Sequence, residues 1–122
     1  MANQTPQNER RHYQRIPFIA EVIMSNGDQE WSCVLLDISL KGMLVVSPGD
    51  ITPDDQKNYD IELVLGAEAT IRMTAKISHI NHDQWGMQWT NIDLEGLTHL
   101  RRLLELNMVD PEEMHRELAE LG

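Results

Sequence analysis

Residues 59 to 80 contain two stretches in which apolar and polar side chains alternate one for one. Tyr59, Ile61, Leu63 and Leu65 oppose Asp60 and Glu62. Ile71, Met73, Ala75 and Ile77 oppose Thr70, Arg72, Thr74, Lys76 and Ser78. Such alternation puts successive side chains on opposite faces of a strand, so each stretch buries one face and wets the other. Shorter segments around them read the same way. Phe18 to Met24 ends at Asn26-Gly27, a strong hairpin turn pair. Trp31 to Ser39 and Gly42 to Ser47 follow, then a Pro/Gly/Asp-rich loop from Pro48 to Asn58. With Tyr59 to Leu65, Ala69 to Ile80 and Gln84 to Ile92, the chain holds six short strands. This spacing predicts a mostly β fold, an antiparallel barrel or sandwich, because closing the sheet removes its edges.

The C-terminal sequence changes period. Leu97, Leu100 and Leu104 recur at helical spacing behind Asp93, a suitable N-cap. A second helix is expected at Asp110-Pro111-Glu112-Glu113, where Asp caps, Pro suits the first helical position and Glu113 has capping-box spacing. Met114, Leu118 and Leu121 form its apolar side. The expected organisation is a flexible tail over residues 1–9, a barrel over 10–93 and C-terminal helices over 94–122. Pro17 pushes Ile16 toward an extended conformation, so the segment before it enters a strand.

At 122 residues the chain is the size of one domain. No run is apolar enough to span a bilayer, and the N-terminus lacks the order of a signal peptide. Cys33 is the one cysteine, so no internal disulfide can form, and a cytoplasmic location is the default expectation. The formal net charge of -10 argues against nucleic acid polymers and anionic membranes as partners. Against that charge, Arg10, Arg11 and Arg15 gather ahead of the first strand. Guanidinium groups supply bidentate donors for phosphate or for the O6/N7 edge of guanine, and planes for stacking. Their concentration on an acidic chain points to a compact anion site; a solvated basic tail is the simpler alternative.

In Leu35-Leu36-Asp37-Ile38-Ser39-Leu40-Lys41-Gly42, strand parity puts Val34, Leu36, Ile38 and Leu40 inward. It puts Asp37 and Ser39 side by side outward, with Gly42 permitting a tight turn or a close approach of backbone to a ligand. A turn closed locally by Asp, Ser and Gly is the competing reading. His79 and His82 could form half a metal site, but a closed zinc site wants four ligands and no second cluster accompanies them. Trp31, Trp85 and Trp89 read as packing residues. Lacking a Gly-rich phosphate loop, a nucleophile–base pair or paired catalytic carboxylates, the chain reads as a binding protein and not an enzyme, without cofactor or metal.

Arg11-x-x-x-Arg15 before the first strand, then Asp37-x-Ser39-x-x-Gly42 at the end of the second, resembles the PilZ domain, a family of bacterial cyclic di-GMP receptors. Gly86-Met87-Gln88-Trp89 resembles a late Gly-and-aromatic segment of that family. The resemblance covers about Arg10 to Asp93 and, with the helical ending, is nearest to stand-alone members. It implies a six-stranded antiparallel β-barrel with C-terminal α-helices and a flexible N-terminal arm. It further implies that Arg11 and Arg15 grip guanine edges and phosphates, that Asp37 accepts from guanine N1–H and the N2 amine, and that Ser39 donates to phosphate or base. Gly42 would keep the rim low. Arg10 resembles members that take an intercalated dimer of the ligand. A stacking side chain is implied near His79; its parity continues the inward series, and a β-bulge would be needed to turn it out.

The resulting expectation is a monomeric cyclic di-GMP receptor that signals to a downstream protein, its arm ordering when ligand binds. The opposed charge of the two ends adds a second expectation: acidic C-terminal helices hold the arm in the free state. An adaptor acting through protein contacts alone should lack the arginines or the Asp-x-Ser pair, and both are present. A barrel for single-stranded RNA should show basic, aromatic-rich strands, and this chain is poor in both.

Overall fold

The computed structural model describes residues 14–49, 51–66, 70–107 and 111–121. Six strands form: β1 (Ile16–Ser25), β2 (Glu30–Ile38), β3 (Gly42–Val46), β4 (Tyr59–Val64), β5 (Thr70–Asn81) and β6 (Gln84–Ile92). They close into an antiparallel barrel in the order β1-β2-β3-β6-β5-β4, with β4 pairing back onto β1. The closed barrel resolves the choice between barrel and sandwich.

The alternating segments behave as their periodicity dictates. Tyr59, Ile61, Leu63, Ile71, Met73, Ala75 and Ile77 are all buried in one core. Tyr59 sits between Trp31 and Trp85, ring centres 6.5 and 6.3 Å away. Trp85 is buried, and Trp31 and Trp89 pack half-buried against the core. Cys33 faces inward as well, and burial pushes its thiol up to about 11.

Strand β2 departs from simple parity. Cys33, Leu35 and Ile38 are buried, while Val34 is exposed and Leu36 half-buried. The expected inward series of Val34, Leu36, Ile38 and Leu40 is therefore half wrong. The cause is a register shift against β3 between Leu35 and Asp37, where Leu36 is the extra residue. A bulge shifts the parity of everything beyond it.

Helix α1 (Leu94–Asn107) starts where expected: the Gly96 amide donates to Asp93 Oδ1 at 2.7 Å. It lies against β5, with Leu100 and Leu104 fully buried and Leu97 and Leu103 half-buried against the core. Helix α2 (Pro111–Leu121) packs on α1 and sends Leu118 to the same core. The expected cap Asp110 and the side chains of Met114 and Leu121 fall outside the described residues, as do Arg10, Arg11 and the rest of the arm before Gln14.

If α1 is an integral layer of the core, Leu100→Ala should cost about 2–5 kcal/mol, because a cavity is left under the helix. Leu94→Ala, at a side chain 79 % exposed, should stay within about 0.5 kcal/mol. Urea denaturation of both variants checks this, with the midpoint falling and the slope unchanged for the first.

Candidate functional site

Four separated segments converge on one open cavity of about 460 Å³, a volume in the usual range for small-ligand sites. Arg15 enters from the start of β1. Ser39, Lys41, Gly42 and Met43 come from the β2–β3 turn, Ser78 and His79 from β5, and Gly86, Met87 and Gln88 from β6. Its charged lining residues are Arg15 and Lys41, with no carboxylate among the described lining. An acidic chain has thus made a locally cationic cavity.

Asp37 meets the cavity through Arg15. The guanidinium donates from Nε to Asp37 Oδ1 at 3.1 Å and from a terminal nitrogen to Oδ2 at 3.4 Å. This two-pronged pair is half open to solvent on the arginine side, 51 % exposed against 21 % for Asp37. Pairs so exposed contribute about 0–1 kcal/mol, so exchanging the partner of either group costs little.

Ser39 does not stand outward beside Asp37, as parity had it. It is 6 % exposed, and its hydroxyl accepts from the amides of Lys41 (3.1 Å) and Gly42 (3.2 Å). The Ser39 amide in turn donates to the Gly42 carbonyl at 2.8 Å. The local turn therefore engages the hydroxyl, the outcome expected of a short hydroxyl side chain next to a reversal. Two bonds from Trp89 anchor this turn to β6: its amide to the Lys41 carbonyl at 2.9 Å, and its indole Nε1 to the Ser39 carbonyl at 3.4 Å.

Gly42 also has a packing role. A Cβ there would overlap the carbonyl oxygen of Met87, so the missing side chain lets β3 close against β6. His79, which simple parity sent inward, is exposed and lines the cavity. The required bulge exists: the β5–β6 register shifts between Ile77 and His79, and Ser78 Oγ bonds the Gly86 carbonyl at 3.0 Å. The imidazole lies where a Gly86 side chain would be, so Gly86 seats the ring. Nothing in the strand pattern gives Gly86 this part or brings Ser78 and Gln88 into the site. The bulge that assembles them leaves no mark in an alternating pattern. Lys41 was readable from its place between Ser39 and Gly42.

The Gln14 amide donates to Glu117 Oε2 at 2.7 Å, joining the residue before Arg15 to helix α2. Glu117 is 1 % exposed. Among the described residues, no group of three or more His, Cys, Asp or Glu side chains could hold a metal, and no helix is long and apolar enough to cross a membrane.

The family model of the PilZ domain matches residues 9–106. Solved structures share the fold at low identity. The Bacillus subtilis inhibitor of motility MotI/DgrA is 20% identical with a TM-score of 0.66, over 79% of this chain and 52% of that one. This chain thus spans about half the length of that relative. The PilZ domain of Escherichia coli YcgR, solved with c-di-GMP, is 19% identical with a TM-score of 0.65, over 91% of this chain and 98% of that one. Borreliella burgdorferi PlzA, also in complex with c-di-GMP, is 14% identical with a TM-score of 0.54, over 71% of this chain and 38% of that one.

The two glycines of the site should answer differently to a methyl group. Gly42→Ala drives Cβ into backbone and should cost about 2–4 kcal/mol. Gly86→Ala meets first the His79 ring, an exposed side chain that can swing away. It should leave the melting curve within about 1 kcal/mol of the parent while moving the His79 ring resonances in a proton–carbon NMR spectrum.

Proposed function

The chain belongs to the PilZ domain family, and we propose that it is a cyclic di-GMP receptor whose ligand occupies the Arg15–His79 cavity and is reported to a protein partner. The observation that carries this reading is the convergence of Arg15, the Asp37–Gly42 segment and His79, distant in sequence, on one cationic cavity. The ligand is a dianion with two guanine bases, so it needs cations for its phosphates and a carboxylate or carbonyl for its base donor edges. Arg15 and Lys41 meet the first need and Asp37 the second.

The Arg15–Asp37 pair supports a mechanism of exchange. A guanidinium presents Asp37 with two parallel N–H donors, much as guanine presents N1–H and the N2 amine. Guanine takes the carboxylate, and Arg15 turns its fork and plane to the ligand. Arg10 and Arg11 complete the grip from the arm, with Arg10 permitting a stacked ligand pair. His79 supplies a ring for a base to stack on, worth about 1–3 kcal/mol in comparable sites. The Ser39–Gly42 turn holds the cavity edge, its hydroxyl donor reaching a ligand atom only by leaving the Gly42 carbonyl, 3.4 Å away.

The signal runs through the arm. Gln14 is tied to Glu117, so drawing the arm across the cavity pulls on the acidic helix α2. Ordering of the arm and release of α2 then present a changed surface to the partner.

Calorimetric titration with cyclic di-GMP tests the assignment. Heat with saturation at micromolar ligand is expected, and its stoichiometry reads one ligand or two. Arg11→Ala and Arg15→Ala should each weaken binding by about tenfold or more, since one charge-assisted contact is worth about 1.5–3 kcal/mol, with melting curves close to the parent's. Absence of heat at tens of micromolar protein and ligand would sink the proposal.

A further inference from the structure

We infer that His79 couples ligand binding to proton uptake, so that this site holds its anionic dinucleotide more tightly in mild acid. The inference rests on the receptor reading above and adds a regulation of the same site. The bulge and Gly86 put the imidazole, solvent-exposed, in the wall of the cavity that Arg15 and Lys41 also line.

Among the described residues, the charged groups that line the cavity with His79 are Arg15 ahead of β1, itself paired with Asp37 of β2, and Lys41 from the β2–β3 turn. Strand β6 contributes Gly86, Met87 and Gln88, none of which titrates. Further along the hairpin, His82 and Asp83 lie in the β5–β6 turn. A bound cyclic dinucleotide brings negative charge to this wall, because its two phosphodiesters keep their negative charge throughout the physiological range. Imidazole is the side chain whose charge can follow such a change near neutral pH. Protonated, it attracts phosphate and adds a cation–π component to stacking on a base. The bound state therefore carries more proton on His79 than the free state. By linkage, affinity rises as pH falls through the range in which the ring titrates. Phe or Trp at this position would stack without this dependence.

The test uses the full chain and cyclic di-GMP in calorimetric titrations at about pH 6, 7 and 8. The expected result is an affinity about three- to tenfold higher at the acid end. At neutral pH, the apparent heat should also vary with the ionisation enthalpy of the buffer, in the direction of proton uptake. His79→Phe should bind with an affinity that no longer follows pH. His82→Asn, a change tolerated at a φ of 58°, should keep the parent slope. Binding that is independent of pH, or a slope that survives His79→Phe, overturns the inference and leaves the receptor reading intact. No binding at any pH overturns both.

Discussion

Everything at this site depends on how closely β3 approaches β6. Gly42 presents no side chain to the Met87 carbonyl, so the two strands meet at the point where the β2–β3 turn leaves the barrel. That contact brings Ser39, Lys41 and Gly42 alongside Gly86 and Gln88, and Trp89 anchors the turn from the other strand. One strand further on, the bulge at Ser78 turns His79 onto Gly86. Two absent side chains thus do separate jobs: one closes the barrel, and the other seats a ring on its outer wall. The apolar core beneath runs from Met43 and Met87 to Leu100 of α1.

The electrostatics are local. The chain carries a net charge of -10, yet the cavity lining presents Arg15 and Lys41. Salt shortens the reach of the acidic body to about 8 Å under physiological conditions, so nearby cations set the field in the cavity. The same principle limits the Arg15–Asp37 pair. It is too exposed to add much stability, which suits the exchange of partners proposed for these two groups.

Period-two alternation revealed β4 and β5 nearly residue by residue, and helical spacing behind Asp93 revealed α1. Those signals survive because each element buries one continuous face. The β2 segment was less legible: a one-residue bulge between Leu35 and Asp37 exchanges faces, so Val34 emerged and Leu35 went in. The same physics hid the placement of His79. A bulge is stabilised by neighbours on other strands, here the Ser78–Gly86 bond, and a linear pattern does not contain them. Ser39 shows a further limit. Its residue type fits a ligand contact and a turn closure equally well, and the geometry of Gly42 engages it in the turn. The link from Gln14 to Glu117 spans nearly the whole chain and runs from a backbone amide, so no side-chain pattern announces it.

The central claim is that the cyclic dinucleotide binds the Arg15–His79 cavity and not another face of the barrel. Amide chemical-shift mapping of the nitrogen-15-labelled protein during titration with cyclic di-GMP reads this directly. The largest changes are expected at Gln14 and Arg15, from Asp37 to Gly42, and from Ser78 to Gly86, with a second group around Glu117. Unperturbed spectra, or changes centred on the groove of Asp60, Arg72 and Asp93 along β4, β5 and β6, would contradict it.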